Sequence, residues 1–193
     1  MFKTGLTALV ALFAVQSMAA DYEIDAAHSS VAFKIRHMMV SKTTGKFEKF
    51  SANFSMEKGR LDSLKGEAKI DVNSINTGDS KRDDHLRGAD FFDVKKFPEM
   101  TFKSKKVSGV NGSKAKLEGD LTLHGVTKPV VLALEFNGEG TDPWGNHKAG
   151  FSATTKLKRK DFGLVWNKTL ETGGLLIGDD VEISLDIEAA AKK

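Results

Sequence analysis

From Tyr22 onwards, apolar and polar side chains alternate with a period of two, a rhythm that suits strands and not helices. Val31, Phe33, Ile35 and His37 fall on one face, with Ala32, Lys34 and Arg36 on the other. Further rows are Phe50, Ala52, Phe54 and Met56, then Ala68, Ile70 and Val72, then Met100, Phe102 and Ser104. Leu117, Gly119, Leu121 and Leu123 follow, and Val130, Leu132, Leu134 and Phe136 repeat the pattern. Phe151, Ala153, Thr155 and Leu157, and finally Val181, Ile183, Leu185 and Ile187, complete it. Turn signals separate the rows: Lys58-Gly59, Asn111-Gly112, Gly138-Glu139-Gly140 and Asp142-Pro143-Trp144-Gly145. With a first segment over 22–26, this predicts eight or nine strands. One wet face per strand means an antiparallel sheet, and a sheet of that many strands removes its edges by closing. The expected fold is all-β: an antiparallel eight-stranded barrel.

One stretch breaks the rhythm. Between Ser74 and Pro98 charges cluster and alternation stops. Asp79 or Ser80 can cap a short helix running to about Leu86, because a side-chain oxygen there satisfies free backbone N–H groups. Gly88 can close that helix, and Pro98 sets up the next strand. Residues 79–97 are therefore expected to form a helical cap over the barrel.

The first twenty residues follow other rules. Lys3 gives a positive start, Gly5 to Val15 is an uncharged apolar run, and small residues lead to Asp21. That is the layout of a secretory signal peptide (residues 1–20), with cleavage expected after Ala19 or Ala20. The apolar run is too short to span roughly 30 Å of hydrocarbon, so no permanent membrane anchor is expected. Residues 21–193 then form a single exported domain. Losing Lys3 takes the formal charge from +3 to +2, too little to argue for a nucleic-acid partner. The chain has no cysteine, so its stability rests on packing without disulfides.

Nothing in the sequence carries a catalytic signal. His28, His37, His85, His124 and His147 are scattered without the spacing that puts two metal ligands on one face. Ser29 and Ser30 lack a nucleophile elbow. Asp83, Asp84 and Asp90 lack the ligand order of a calcium loop. No metal, cofactor or enzymatic activity is expected.

Several motifs, in order, resemble the YceI-like family of bacterial periplasmic lipid-binding proteins over nearly the whole mature chain. They are Asp25-Ala26-Ala27-His28-Ser29 with Phe33 and His37, Gly45-Lys46-Phe47, and Arg82-Asp83-Asp84-His85-Leu86 with Phe91-Phe92-Asp93 and Phe97-Pro98. The run from Gly119 to Pro129, Arg159-Lys160-Asp161-Phe162-Gly163, and Gly178-Asp179-Asp180-Val181 complete the set. Lys158 departs from the neutral polar residue expected before the Arg. The resemblance implies a lipocalin-like barrel whose interior holds a polyisoprenoid or similar long lipid.

Physics makes that ligand plausible without identifying it. An eight-stranded barrel either fills itself with side chains or holds one slender ligand. The inward rows mix Phe33, Phe54, Phe102, Phe136 and Phe151 with Ala52, Ala68, Ala115, Gly119 and Ala153. Facing small residues would leave a channel; alternating large and small residues would instead pack a tapering core. Candidate tail contacts are those five phenylalanines with Ile35, His37, Leu86, Phe91, Phe162 and Trp166. Head-group candidates near one end are Arg82, Asp83 and His85, with Arg36, His37 and Lys160 more distant. The competing reading of Arg82 and Asp83 is an internal pair that pins the cap, with His85 capping backbone carbonyls. The partner expected is a long-chain isoprenoid or fatty lipid, and a homodimer around the entrance is a further expectation. The alternative function is an exported structural barrel with a filled core.

Overall fold

The structure, a computed structural model, describes residues 19–171 and 173–192. Its strands are β1 (Ala19–Ile24), β2 (Ser30–His37), β3 (Ser41–Phe47), β4 (Phe50–Glu57), β5 (Arg60–Asp71) and β6 (Ile75–Asn76). After the cap come β7 (Glu99–Asn111), β8 (Lys114–Leu123), β9 (Val126–Thr141), β10 (His147–Lys158) and β11 (Ile177–Ala191). β2 pairs with β3 while β1 pairs with β4, and β3 meets β6 while β4 meets β5. Each of β1/β2, β3/β4 and β5/β6 is thus one bent strand, and the wall is a closed antiparallel barrel of eight. Every strand pairs with its neighbour in sequence, an up-and-down order. β11 closes the ring, meeting β2 over Ile177–Asp186 and β1 over Ala189–Ala191.

Side chains replace the ladder bonds lost at the bends. At the first, Asp25 caps a 3-10 turn by accepting from Ala27 N at 3.1 Å. Ser29 Oγ there both donates to Glu188 O and accepts from Glu188 N, at 3.2 and 3.0 Å. At the others, Ser74 Oγ accepts from the backbone N–H groups of Glu48 and Lys49 at 3.1 and 3.0 Å.

The sequence rows match these strands except at the two-residue β6 and at β3, which alternation does not pick out. The inward positions of β3 are Thr43, Gly45 and Phe47, and only one of the three is apolar and large. The cap forms as expected: α1 spans Ser80–Arg87, Asp79 accepts from Arg82 N at 3.0 Å, and Gly88 N donates to His85 O at 3.1 Å. The expected export segment lies outside the described residues apart from Ala19 and Ala20, which open β1 opposite Glu57 and Met56.

The barrel has two unlike ends. At one, the β4–β5, β7–β8 and β9–β10 hairpins turn, and β1 begins. At the other are the β2–β3 and β8–β9 turns, the cap segment 77–98 and the long connection 159–176. The core divides accordingly into two clusters, one around Tyr22, Met56 and Leu134 and one around Ile75, Phe162 and Leu164.

Candidate functional site

Between those clusters lies an apolar cavity of about 460 Å³, within the roughly 300–1,000 Å³ typical of small-ligand pockets. Its floor is aromatic. Phe54 stacks on Tyr22 with centroids 4.9 Å apart and meets Phe151 edge-on at 5.3 Å. Below the floor, Met56, Leu61, Val107, Ala115, Ala149 and Ala189 are all buried and none touches the cavity. Burial, with Glu139 adding to it, raises the Tyr22 hydroxyl above its ordinary pKa. This end is plugged by close packing.

The side wall explains how a barrel rich in phenylalanine keeps a lumen. Phe33 faces Gly45 across the β2–β3 ladder, and Phe54 faces Gly66 across β4–β5. Phe102 lies against Gly119 of β8. A Cβ on Gly45 or Gly119 would strike the opposing ring, and one on Gly66 would strike the Phe54 Cβ and the Asn53 carbonyl, so each glycine lets the facing phenylalanine lie close against the wall. Ala52 and Ala68, direct cross-strand partners, and Ala153 line the space that remains.

At the other end a polar frame spans the opening. Thr77 is its centre: Asp83 Oδ1 accepts from Thr77 N at 2.9 Å and from Thr77 Oγ1 at 2.5 Å. Arg82 donates from Nε to Thr77 Oγ1 at 2.7 Å and from its fork to Thr77 O at 2.8 Å. Arg87 donates to Asn73 O and Ile75 O, both at 2.9 Å, tying α1 to the bend before it. From the cap, His85 and Phe91 reach Trp166 of the long connection, the three rings lying 5.0 Å apart pairwise.

Arg159, only 4% exposed, holds that connection in place. Its guanidinium donates to Leu164 O at 2.5 Å, Trp166 O at 2.8 Å and Gly178 O at 2.9 Å, with Asp179 at 3.4 Å. Burial lowers its pKa, and Asp179 opposes that shift. Gly163 then turns the chain at φ 77. The β8–β9 turn locks on beside it: His124 Nδ1 lies 3.2 Å from Phe162 O, and its ring packs on Phe97 at 4.6 Å. The motif 159–163 is thus a device for anchoring one rim of the opening.

Of the residues singled out in the sequence, Phe33, Ile35, His37, Phe54, Leu86, Phe91, Phe102, Phe151, Phe162 and Trp166 line the cavity, as do Arg82 and His85 at the cap. Two do not. Phe136 packs on Phe151 from behind, with centroids 5.2 Å apart. Asp83 is buried and turned to Thr77. The expected Arg–Asp pair is indirect, since both side chains meet at Thr77 without bonding each other. His85 pairs with Asp90 at 3.2 Å and not with backbone carbonyls. Thr43, Thr77 and Leu176 also line the cavity, and sequence pattern had no signal for them. Lys158 ends β10 opposite Asp180, on the rim.

A second cluster also escaped the sequence. Asp25, His28 and Glu188 converge on the outer wall as a metal site might. Lys148 already supplies the cation, its Nζ 3.0 Å from both Asp25 and Glu188. His28 and Lys148 together hold the Asp25 carboxyl down at a pKa of about 2. The arrangement pins the β1–β2 bend to β10 and β11.

The family model described as the YceI-like domain matches residues 22–189. A UPF0312 protein of Ectopseudomonas mendocina is 43% identical over 193 residues, covering 97% of this chain and 98% of its own. Among solved structures, a Campylobacter jejuni YCEI protein superposes with a TM-score of 0.72 at 35% identity, covering 83% of this chain and 91% of its own. A domain from Saccharophagus degradans, described as polyisoprenoid-binding and implicated in plant cell wall breakdown, shares the fold with a TM-score of 0.64 at 18% identity. That match covers 89% of this chain and 98% of the domain.

Proposed function

The chain belongs to the YceI-like family, and on that premise we propose that it binds one long apolar lipid inside the barrel. The ligand is a polyisoprenoid or a similar isoprenoid or fatty amphiphile, held for storage, transport or sensing in the periplasm. The observation that carries this reading is the cavity itself, closed below by the aromatic floor and spanned above by the cap. The description of the Saccharophagus domain as polyisoprenoid-binding supports it.

Orientation follows from the lining. The tail lies toward Phe54 and Phe151, where the wall is hydrocarbon. The head group lies at the cap end, where Thr43, Thr77, Arg82 and His85 border the space. Each buried CH₂ contributes about 0.8 kcal/mol, so a ten-carbon tail outweighs a large part of the association cost. Apolar walls discriminate mainly by length and width, so selectivity among tails is loose. The protein acts as a binding protein and not as an enzyme. The signal-peptide pattern and the lysine-rich outward positions of the wall, such as Lys114 and Lys116, fit a protein exported into an aqueous compartment.

Native mass spectrometry of the protein purified from its host, followed by organic extraction, tests this. A stoichiometric long-chain lipid is the expected result. An empty protein that also refuses polyprenyl and fatty ligands would establish a structural barrel in its place.

A further inference from the structure

Exposed large apolar side chains are unevenly placed on this molecule. Of the eight among the described residues, five belong to the cap end: Met38, Met39, Val40, Val165 and Leu175. Three of these are consecutive at the tip of the β2–β3 hairpin, exposed by 44%, 55% and 85%.

The backbone makes their presence there costly. Met38 and Met39 both take positive φ, 49 and 63, a left-handed region that strains a side-chain-bearing residue. Hairpin turns of that sign ordinarily use Asn or Gly. Sterics and hydration both disfavour methionine here, yet the tip is held firmly. Met38 N donates to Leu176 O at 2.8 Å, Val40 N to His37 O at 3.2 Å, and the Arg36 guanidinium to Met39 O at 3.0 Å.

The tip adjoins the cavity opening. His37, Leu176 and Ile177 line the cavity, while the neighbouring Met38 and Leu175 face solvent, so the apolar wall continues onto the rim. Arg36 and Lys168, exposed on the two segments that form this rim, have no carboxylate partner within 4.0 Å among the described residues. Of the nearby acids, Glu182 is taken by Lys42 and Asp179 by Lys160, both at 2.8 Å, Asp180 stands opposite Lys158, and Glu171 sits at the turn of the facing loop. Cations that no carboxylate pairs with, beside an apolar tip, match the layering of phosphates above acyl chains.

We propose that this rim docks the protein on a phospholipid bilayer, with Met38, Met39 and Val40 entering the acyl layer and Arg36 and Lys168 at the phosphates. The surface stands on exposure and backbone geometry; only its use for loading the cavity rests on the lipid-binding reading. Flotation with vesicles of phosphatidylethanolamine and phosphatidylglycerol tests it, comparing the native protein, a Met39→Asn/Val40→Ser variant and Trp144→Ser. Asn suits the left-handed backbone, and Trp144 is an equally exposed apolar residue at the plugged end.

The native protein and Trp144→Ser should float, and the tip variant should lose vesicle-bound protein on the order of tenfold. All three should take up polyprenyl phosphate equally from a detergent dispersion. Equal flotation of the tip variant, equal loss in Trp144→Ser, or failure of the native protein to float would overturn the proposal. So would a native dimer that the tip variant dissociates, because the rim would then cover a second copy. Failure of uptake from detergent alone counts against the lipid-binding reading and leaves the flotation result standing.

Discussion

The two ends of the barrel bury apolar side chains to similar degrees and use them oppositely. At the plugged end, Tyr22, Met56, Leu61 and Ala189 fill the space between hairpins until nothing remains. At the cap end, Ile75, Phe162 and Leu164 are just as buried, but a polar frame around Thr77 and Arg159 spans the gap and leaves a lumen beneath it. The lesson is that side-chain packing seals a barrel, while hydrogen bonds to backbone carbonyls can roof one without filling it.

Equal truncations at the two ends should break that symmetry first. Met56→Ala opens a void in the plug and should lower unfolding free energy by about 3 kcal/mol in urea titration, with lipid affinity unchanged. Leu157→Ala, which only enlarges an existing space, should cost about 1 kcal/mol and weaken lipid binding. If both variants lost stability equally, the lumen would be filled and not empty.

Filling the lumen should separate binding from folding. Ala153→Phe places a ring where the tail runs, and lipid uptake should fall on the order of a hundredfold, read by titration with a fluorescent polyprenyl analogue. Its circular dichroism should remain native. Next in size is the roof: Thr77→Val removes the hydroxyl shared by Asp83 and Arg82 and should cost about 1–2 kcal/mol. Hydrogen exchange should quicken in α1 and leave β8 and β9 unchanged.

Smallest is an effect outside both ends. The Asp25 carboxyl titrates at about 2 in the folded chain, held there by His28 and then Lys148. A carboxylate with a lowered folded pKa stabilises at pH above its ordinary value near 4 and loses that contribution as pH falls toward 2. The melting temperature of the native protein should therefore decline more steeply between pH 4 and 2 than that of Asp25→Asn. Parallel curves would remove Asp25 from the account.

How much of this could be read from the sequence follows from the physics of each part. Alternation exposed every long strand because burying one face of a sheet imposes a period of two. It missed β3, where Gly45 stands in an inward position to receive the Phe33 ring, so a residue that shapes the lumen reads as a gap. Asp79 and Gly88 announced the helix through local backbone chemistry. That Arg82 and Asp83 hold the cap was among the sequence readings, but that they meet at Thr77 and not at each other was not, because Thr77 carries no signal of its own. Phe136 and Phe151 belong to equivalent inward rows, yet only one reaches the cavity. Which one does depends on three-dimensional stacking.

The most direct test of a lumen that is plugged at one end and roofed at the other is where a lipid tail lies. Protein labelled at Leu, Ile and Val methyl groups, loaded with a polyprenyl phosphate, should show intermolecular NOEs from Leu132, Leu157 and Ile183 in the wall and none from Leu61 or Val107 in the plug. NOEs confined to surface methyls such as Val131, or reaching the plug as strongly as the wall, would contradict the account.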